Sequence, residues 1–319
     1  LITGFTSSVS NFCHTLFHQE LREVVAFQNR IMFREIGDFL FIVHAPITTV
    51  PSIVQSLLKT IVDIFEFLFG GFEGWDEITL NLVGVHDIMK HQLDIVMSDP
   101  GSIIGGIRQV TLDFEVCERL DKLLAYMESV DGVCGNGSML LLGNAVLQSR
   151  FPLTEARLIL NIYRARPMGS SQCRFFPIYC NGSWQNLYFF RIQNYVLVVM
   201  TVIDKSVASL FKKVNEFKTA LIQSRLEIPL EEPPVLMRMF AKRETLAMLY
   251  HNIKSGQTIF PQLRSGPEIQ LKEIMDTFWW FYSEAVSTAN STGVVEYSVV
   301  RDHYKFVAKL NGVHHLYVL

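Results

Sequence analysis

The chain is 319 residues long with a formal net charge of −3, and its composition is 49% hydrophobic against 18% charged. Soluble domains usually carry about a quarter charged residues, so a mean hydropathy of +0.24 implies apolar surface that belongs to a partner. The small negative charge argues against nucleic acid as a partner. The longest apolar runs, such as 39–43 and 195–200, are far shorter than the ~20 residues of a membrane-spanning helix.

At roughly 100–150 residues per domain, this length predicts two or three units. Five scattered cysteines (Cys13, Cys117, Cys134, Cys173, Cys180) suit a reducing compartment, hence the cytoplasm, and largely buried thiols. The three Asn-x-Ser/Thr triplets at Asn136, Asn181 and Asn290 read as turn residues.

In chain order, segments 22–27, 30–36 and 39–45 read as consecutive antiparallel strands, with Gly37-Asp38 as a two-residue turn. A helix follows, capped by Thr49, opened by Pro51 and ended by Gly70-Gly71. Its apolar residues come in pairs: Ile53/Val54, Leu57/Leu58, Ile61/Val62, Ile64/Phe65, Leu68/Phe69. That leaves only Gln55, Ser56, Lys59, Thr60, Asp63 and Glu66 for water. A helix this apolar lies between two layers, or between a sheet and a second protein. A shorter helix spans 85–97 and stops at Asp99-Pro100-Gly101.

A second block opens with a helix over 114–130, followed by glycines at 132, 135 and 137 and a strand over 139–148. A helix over 154–165, capped by Thr154, precedes strands at 174–180, 186–193 and 195–203. The closing amphipathic helix places Val207, Leu210, Phe211, Val214, Phe217 and Leu221 on one face, opposite Lys212, Lys213, Glu216 and Lys218. The proline-rich stretch 228–234 is the best linker. Beyond it, helices over 235–254 and 267–287 precede strands at 293–300, 303–310 and 313–319, with Asn311-Gly312 as the strongest hairpin signal.

Chemistry-bearing patterns are sparse. His14/His18, His86/His91 and His314/His315 lack a convergent cysteine or carboxylate, so packing or surface histidines are the plainer reading. Asp76, Glu77, Asp87, Asp94, Asp99 and Asp113 sit in no recognisable acid/base motif. Gly101, Gly105 and Gly106 lack the Gly-Lys-Ser/Thr of a phosphate loop. Lys205, Lys212, Lys213, Arg238, Lys242 and Arg243 could attract anionic membrane lipid, although a solvated helix face explains them more simply. Phe278-Trp279-Trp280-Phe281-Tyr282 is more telling. Successive helical residues are about 100° apart, so two or three of these rings, Trp279 and Trp280 foremost, should point to another domain or chain.

Strands, a long helix and further helices thus recur three times, with the element order rotated in the last block. Several stretches carry a closer likeness: Met32-Phe-Arg-Glu-Ile-Gly-Asp-Phe-Leu-Phe-Ile-Val43, Phe67-Leu-Phe-Gly70, Gly101-Ser-Ile-Ile-Gly105, Phe176-Pro-Ile-Tyr179, Glu244-Thr-Leu-Ala-Met-Leu-Tyr250 and Thr277-Phe-Trp-Trp-Phe-Tyr282. In these the chain resembles the triple-longin family, in order and spacing across nearly its whole length. The resemblance implies an α/β chain of three longin-like domains over 1–113, 114–227 and 228–319. The family's opening strand pair and closing helix are missing, so the first and third domains would be incomplete.

The same resemblance implies a non-enzymatic subunit with no cofactor, paired with an Inturned-like triple-longin subunit and a β-propeller subunit. Such a complex holds a Rab-type small GTPase and works in cilium assembly and planar polarity. The family also leaves open an endosomal or lysosomal exchange factor of the Mon–Ccz or Hermansky–Pudlak type. Because the first-block helix has more apolar residues than one core face can take, Asp63, Glu66 and Phe69 with the following Phe72 and Trp75 are the expected contact surface.

Overall fold

The computed structural model describes residues 15–16, 18, 22–37, 39–47, 49–72, 75, 84–169, 171–202, 207–224, 245–260, 268–301 and 303–319. The proline linker, the first part of the helix expected at 235–254, Cys13, His14, Asp76, Glu77, Lys205, Arg238, Lys242 and Arg243 lie outside them. The fold is mixed α/β, with three sheets flanked by helices.

The first sheet holds β1 (Glu23–Ala26), β2 (Asn29–Ile36) and β3 (Phe39–Pro46) in sequential antiparallel order. The second joins β5 (Val133–Leu142), β6 (Ala145–Ser149), β7 (Cys173–Cys180), β8 (Ser183–Ile192) and β9 (Tyr195–Val202) in the order β6-β5-β9-β8-β7. The third has the order β12-β13-β14-β10-β11-β4. It is built from β10 (Met248–Asn252), β11 (Gln257–Ile259), β12 (Glu296–Arg301), β13 (Tyr304–Asn311), β14 (His314–Val318) and a distant two-residue strand, β4 (Ile107–Arg108). Among the described residues the helices are α1 (Pro51–Phe69), α2 (Val85–Met97), α3 (Pro100–Ile103), α4 (Phe114–Glu128), α5 (Leu153–Ala165), α6 (Val207–Gln223) and α7 (Glu268–Thr292).

Strand register follows from the turns. Cys180 pairs with Ser183 across Asn181-Gly182, both at positive φ, which is the two-residue geometry that matches strand twist. Asn311 pairs with His314, so the loop is Gly312-Val313 and only Gly312 takes positive φ. The turn therefore sits one residue later than an Asn-Gly turn would place it. Gly143-Asn144 splits the single strand expected at 139–148 into β5 and β6, because Gly143 adopts φ 54° and reverses the chain there.

The paired apolar stripe of α1 is explained within the chain. Val54 and Leu58 pack on Met32 and Ala45 of the first sheet. Ile53, Leu57, Ile64 and Phe67 join a larger core with α2, α5 and one face of the second sheet. The opposite face of that sheet is covered by α4 and α6 through Leu120, Leu124, Leu210, Val214 and Phe217. Thr60 is buried and donates to the Ser56 carbonyl at 2.8 Å, so it is not a water-facing residue.

Neither expected threonine cap forms. Val50 precedes α1 and Pro152 precedes α5, neither with a side-chain cap. Instead, Pro51 supplies a preset φ at the start of α1, and the Thr49 carbonyl accepts from Arg30. The largest difference lies at 248–252, expected as the end of a helix and found as β10. A short apolar run has no period of its own, and here Met248, Leu249 and Tyr250 are claimed by backbone pairing with Val318, Tyr317 and Leu316.

Short segments join the units. Ile107 and Arg108 pair in parallel with Gln257 and Thr258, and the next residue, Gln109, bridges to Val146 of the second sheet. The glycines around this strand make the approach possible. A Cβ on Gly101 would lie 2.2 Å from Thr258 Oγ1, and one on Gly106 would lie 2.2 Å from Thr258 Cγ2 and 2.9 Å from the Gly256 carbonyl oxygen. Thr258 is itself 2% exposed, so it cannot swing away. The glycines that failed to make a phosphate loop thus serve close packing. Gly101→Ala and Gly106→Ala are each expected to cost about 1–3 kcal/mol by overpacking. Thermal denaturation should show a lowered midpoint, whereas Gly143→Ala, which has open space around it but a positive φ, should lose about 1 kcal/mol from backbone strain alone.

In the third sheet His251 and His315 are directly paired across β10 and β14. Burial and the facing His315 hold the His251 imidazole below the usual histidine range, and burial does the same to His315. Each ring therefore binds its proton more weakly folded than unfolded. As pH falls through about 6.5 the unfolded chain takes up protons first, so stability present above that value is lost on acidification. The urea midpoint is expected to fall between about pH 7.5 and pH 5.5, and His251→Phe should flatten that dependence.

Candidate interaction surface

Asp63, expected on an outer face, is turned inward. Its carboxylate accepts from Arg157 of α5 at 2.9 Å, and the two side chains are only 19% and 9% exposed. Arg157 is the longer-range partner that sequence reading missed, since 94 residues separate the two. Burial works against the charge of the guanidinium more strongly than Asp63 supports it. Asp63 thus ties α1 to α5 and is withdrawn from the contact surface.

The other residues of the expected surface gather at the C-terminal end of α1. Glu66 is exposed, and Phe69, Phe72 and Trp75 are half-buried. They form a ring cluster with the first sheet: Phe69 and Trp75 lie 6.0 Å apart at 87°, and Phe72 sits 5.6 Å from Phe65 and 5.9 Å from Phe41. Trp75 Nε1 donates to the Gly71 carbonyl at 3.2 Å.

A further aromatic from the second sheet meets this end. Gly70 has φ 80° and ψ −166°, a combination suited to glycine, and a Cβ there would lie 2.9 Å from the Trp184 ring. Trp184 is 42% exposed and stands edge-on to Tyr179 at 5.6 Å. The result is one partly exposed aromatic edge drawn from two units. Phe72, Trp75 and their neighbours were visible as a local run. Trp184 was not, because only the fold brings residues 70 and 184 together.

Within the aromatic run of α7, Phe278 and Phe281 are fully buried against Phe306 of the third sheet. Trp279 packs against both this core and the one beneath α1, so it faces another unit of the same chain. Trp280 is 36% exposed, with the Arg301 guanidinium 4.7 Å above its ring. Both tryptophans line a cleft of about 1360 Å³ between α7 and the corner formed by α2 and α3. Arg164 crosses that corner, donating to Asp99 at 2.5 Å and to the Asn144 carbonyl at 3.0 Å.

The basic stripe of α6 is partly consumed internally. The Lys213 ammonium lies 3.3 Å from the Tyr126 ring centre, and Tyr126 donates to Glu216 at 2.6 Å. Lys212 stays exposed. Cys117, Cys134 and Cys173 are half-buried free thiols and Cys180 is buried. Burial, helped by Glu155, pushes the Cys180 thiol up to about 11, so it stays protonated and weakly nucleophilic. Among the described residues there is no group of three or more His, Cys, Asp or Glu side chains placed to hold a metal ion, and no helix is long and apolar enough to cross a membrane.

The chain matches no protein-family model, and no curated protein is similar to it in sequence.

The Asp63–Arg157 pair gives a direct test of the inward reading. Arg157→Ala strands a largely buried carboxylate and is expected to cost about 3–5 kcal/mol, while Asp63→Leu combined with Arg157→Met should recover most of that stability. Chemical denaturation of the single and double variants measures both outcomes.

Proposed function

We propose that this chain is a non-enzymatic scaffold subunit of a heteromeric complex of the Fuzzy–Inturned type. In that reading it pairs with a second triple-longin chain and a β-propeller subunit. The assembly acts on a Rab-type GTPase in ciliogenesis, intraflagellar transport recruitment and planar cell polarity. Its place would be the cytoplasm, at the ciliary basal body.

The observation that supports this best is the aromatic edge at the end of α1. Glu66, Phe69, Phe72, Trp75 and Trp184 present partly exposed rings beside an exposed carboxylate, drawn from two units. Aromatic residues are enriched where proteins meet, and clustered ones supply most of the binding energy. Other large apolar side chains also face solvent, including Phe27 at 99%, Phe114 at 81% and Phe175 at 60% exposed. Exposed rings on several faces suit a chain with more than one partner. The resemblance of the sequence to triple-longin proteins supplies the identity of those partners, and three sheets with flanking helices in one chain agree with it. A GTPase exchange surface needs extended complementarity and no catalytic side chain, so the absence of a recognisable catalytic motif in the sequence is compatible with this role.

Co-expression with an Inturned-like chain tests the reading. The chain should co-purify with it, and Glu66→Arg together with Trp184→Ser should reduce recovery at least about tenfold, with circular dichroism confirming that the double variant is folded at the assay temperature, since Trp184 also packs on Gly70 and Tyr179. Full recovery by the double variant would remove this edge from the interface. Recovery of a late-endosomal GTPase from cell extracts in place of the ciliary partners would move the chain to the endosomal branch of the family.

A further inference from the structure

The second sheet is covered unevenly on the face that carries α4 and α6. The core there takes residues from both helices and from β5, β6, β8 and β9. From the edge strand β7, among the described residues, only Cys173 joins it. Strand side chains alternate between faces, so Phe175, Pro177 and Tyr179 follow Cys173 onto this side, while Phe176 and Ile178 enter the core beneath α1 and α5. Phe175 is 60% exposed, Pro177 is exposed and Tyr179 is half-buried.

Ring contacts join this strip to α6. Phe175 lies 5.7 Å from Tyr188, Tyr188 lies 5.9 Å from Phe190, and Phe190 lies 5.3 Å from Phe211 of α6. The two inner rings are buried and form a floor, whereas Phe175 and Phe211, the latter 45% exposed, stand at its two sides. Along β7 the strip runs on to Tyr179, which meets Trp184 of the aromatic edge at 5.6 Å.

Two features narrow what can lie there. Cys180 and Ser183 close a two-residue turn, and the Arg191 N–H donates to the Gln172 carbonyl. Even-numbered residues of β7 therefore bond to β8, and odd-numbered ones aim their backbone groups at the free edge. Pro177 is an odd position with no N–H to offer, which obstructs the addition of a partner strand. The second feature is charge. Between Glu155 and Asp204 the sequence holds five arginines and no aspartate or glutamate, in a chain of net charge −3. Two of those arginines, Arg157 and Arg164, are paired within the chain. On α6, Lys218 lies two turns from Phe211 on the same stripe, and Lys212 and Lys218 are both exposed. The one carboxylate of that helix, Glu216, lies on the opposite side, where Tyr126 of α4 donates to it.

We propose that the strip between β7 and α6 seats an acidic amphipathic helix of a partner chain. Its apolar face lies on Phe175, Tyr188 and Phe211, and its carboxylates face Lys212 and Lys218. An amphipathic helix binds a groove through apolar side chains at helical spacing and leaves its free edge unpaired, as Pro177 requires. Opposite charge at the rim orients such a segment and rejects a basic one. The inference rests on the reading of this chain as an assembly subunit, and not on which partners it has.

Two fluorescein-labelled peptides of about 20 residues serve as probes. Both carry leucine at i, i+3, i+4 and i+7, one with glutamate and alanine elsewhere and the other with lysine and alanine. Each is titrated against the full chain by fluorescence polarisation. The glutamate peptide should bind at least about tenfold more tightly than the lysine peptide and weaken with added salt. Phe175→Glu should weaken it about tenfold or more. Lys212→Glu combined with Lys218→Glu alters only exposed positions, so it should keep the melting midpoint and still lose that binding. Four results would overturn the proposal: no binding of the glutamate peptide at about millimolar concentration, equal binding of both peptides, indifference to the lysine pair, or a homodimer in sedimentation equilibrium that Phe175→Glu abolishes, which would give the strip to a second copy. Failed peptide binding with co-purification of the Inturned-like chain intact removes the strip alone. Peptide binding without co-purification removes the partner assignment and keeps the strip.

Discussion

The parallel contact between Ile107-Arg108 and Gln257-Thr258 is the constraint on which the arrangement of the units turns. Two backbone pairs are little in themselves, but the next residue, Gln109, bridges to Val146, so one short extended segment is tied to two sheets at once. Gln257 then donates to the Gln109 carbonyl and to Thr111, adding side-chain bonds along the same line. Such proximity is possible because Gly101, Gly106 and Gly256 carry no Cβ where Thr258 and Leu153 already fill the space. Both large cavities open beside this segment and share Arg108 and Asn144 in their linings. The junction therefore sets the third sheet against the second, with both cavities opening beside it.

A second constraint is the double burial of α1. One side serves the first sheet and the other serves the core beneath the second, which leaves Pro51, Ser52, Gln55, Lys59 and Glu66 exposed and Phe69 half-buried at its end. The helix ends where Gly70 turns the chain beside Trp184, so the same glycine that stops the helix also seats an aromatic residue from the second sheet. Stability and surface chemistry are coupled there: the packing that holds two units together also defines the exposed aromatic edge. The Asp63–Arg157 pair strengthens the same contact from within. A paired charge in that position constrains which residue of α5 faces α1, and so fixes the register between them.

Buried polar groups on α2 and α5 mark another layer of the design. Gln92 is 4% exposed and Asn161 only 1%, on helices that pack together, and neither Gln92 Oε1 nor the Asn161 side-chain amide atoms has a hydrogen-bond partner among the described residues. Apolar residues would pack there at lower cost.

Much of the local structure was legible in the amino-acid order. Three strands at 22–45, the helix at 85–97, the strand pair before α6 and the β13–β14 hairpin follow from period-2 or period-3.6 patterns. These are short-range rules that a dozen residues can satisfy alone. What failed were positions where a distant segment made the decision. Residues 248–252 became a strand because β14 offered a backbone ladder, Thr49 and Thr154 lost their capping roles to proline-led starts, and Asp63 turned inward because Arg157 was waiting 94 residues on. The sequence by itself determined the α/β class, the apolar excess of α1 and the aromatic run of α7. Only the tertiary structure decided which of those rings are covered by the chain's own units and that Trp184 joins the α1 edge. Pairing across a hundred residues leaves no periodic trace in the chain, since it depends on the complementarity of surfaces that exist only after the elements have formed.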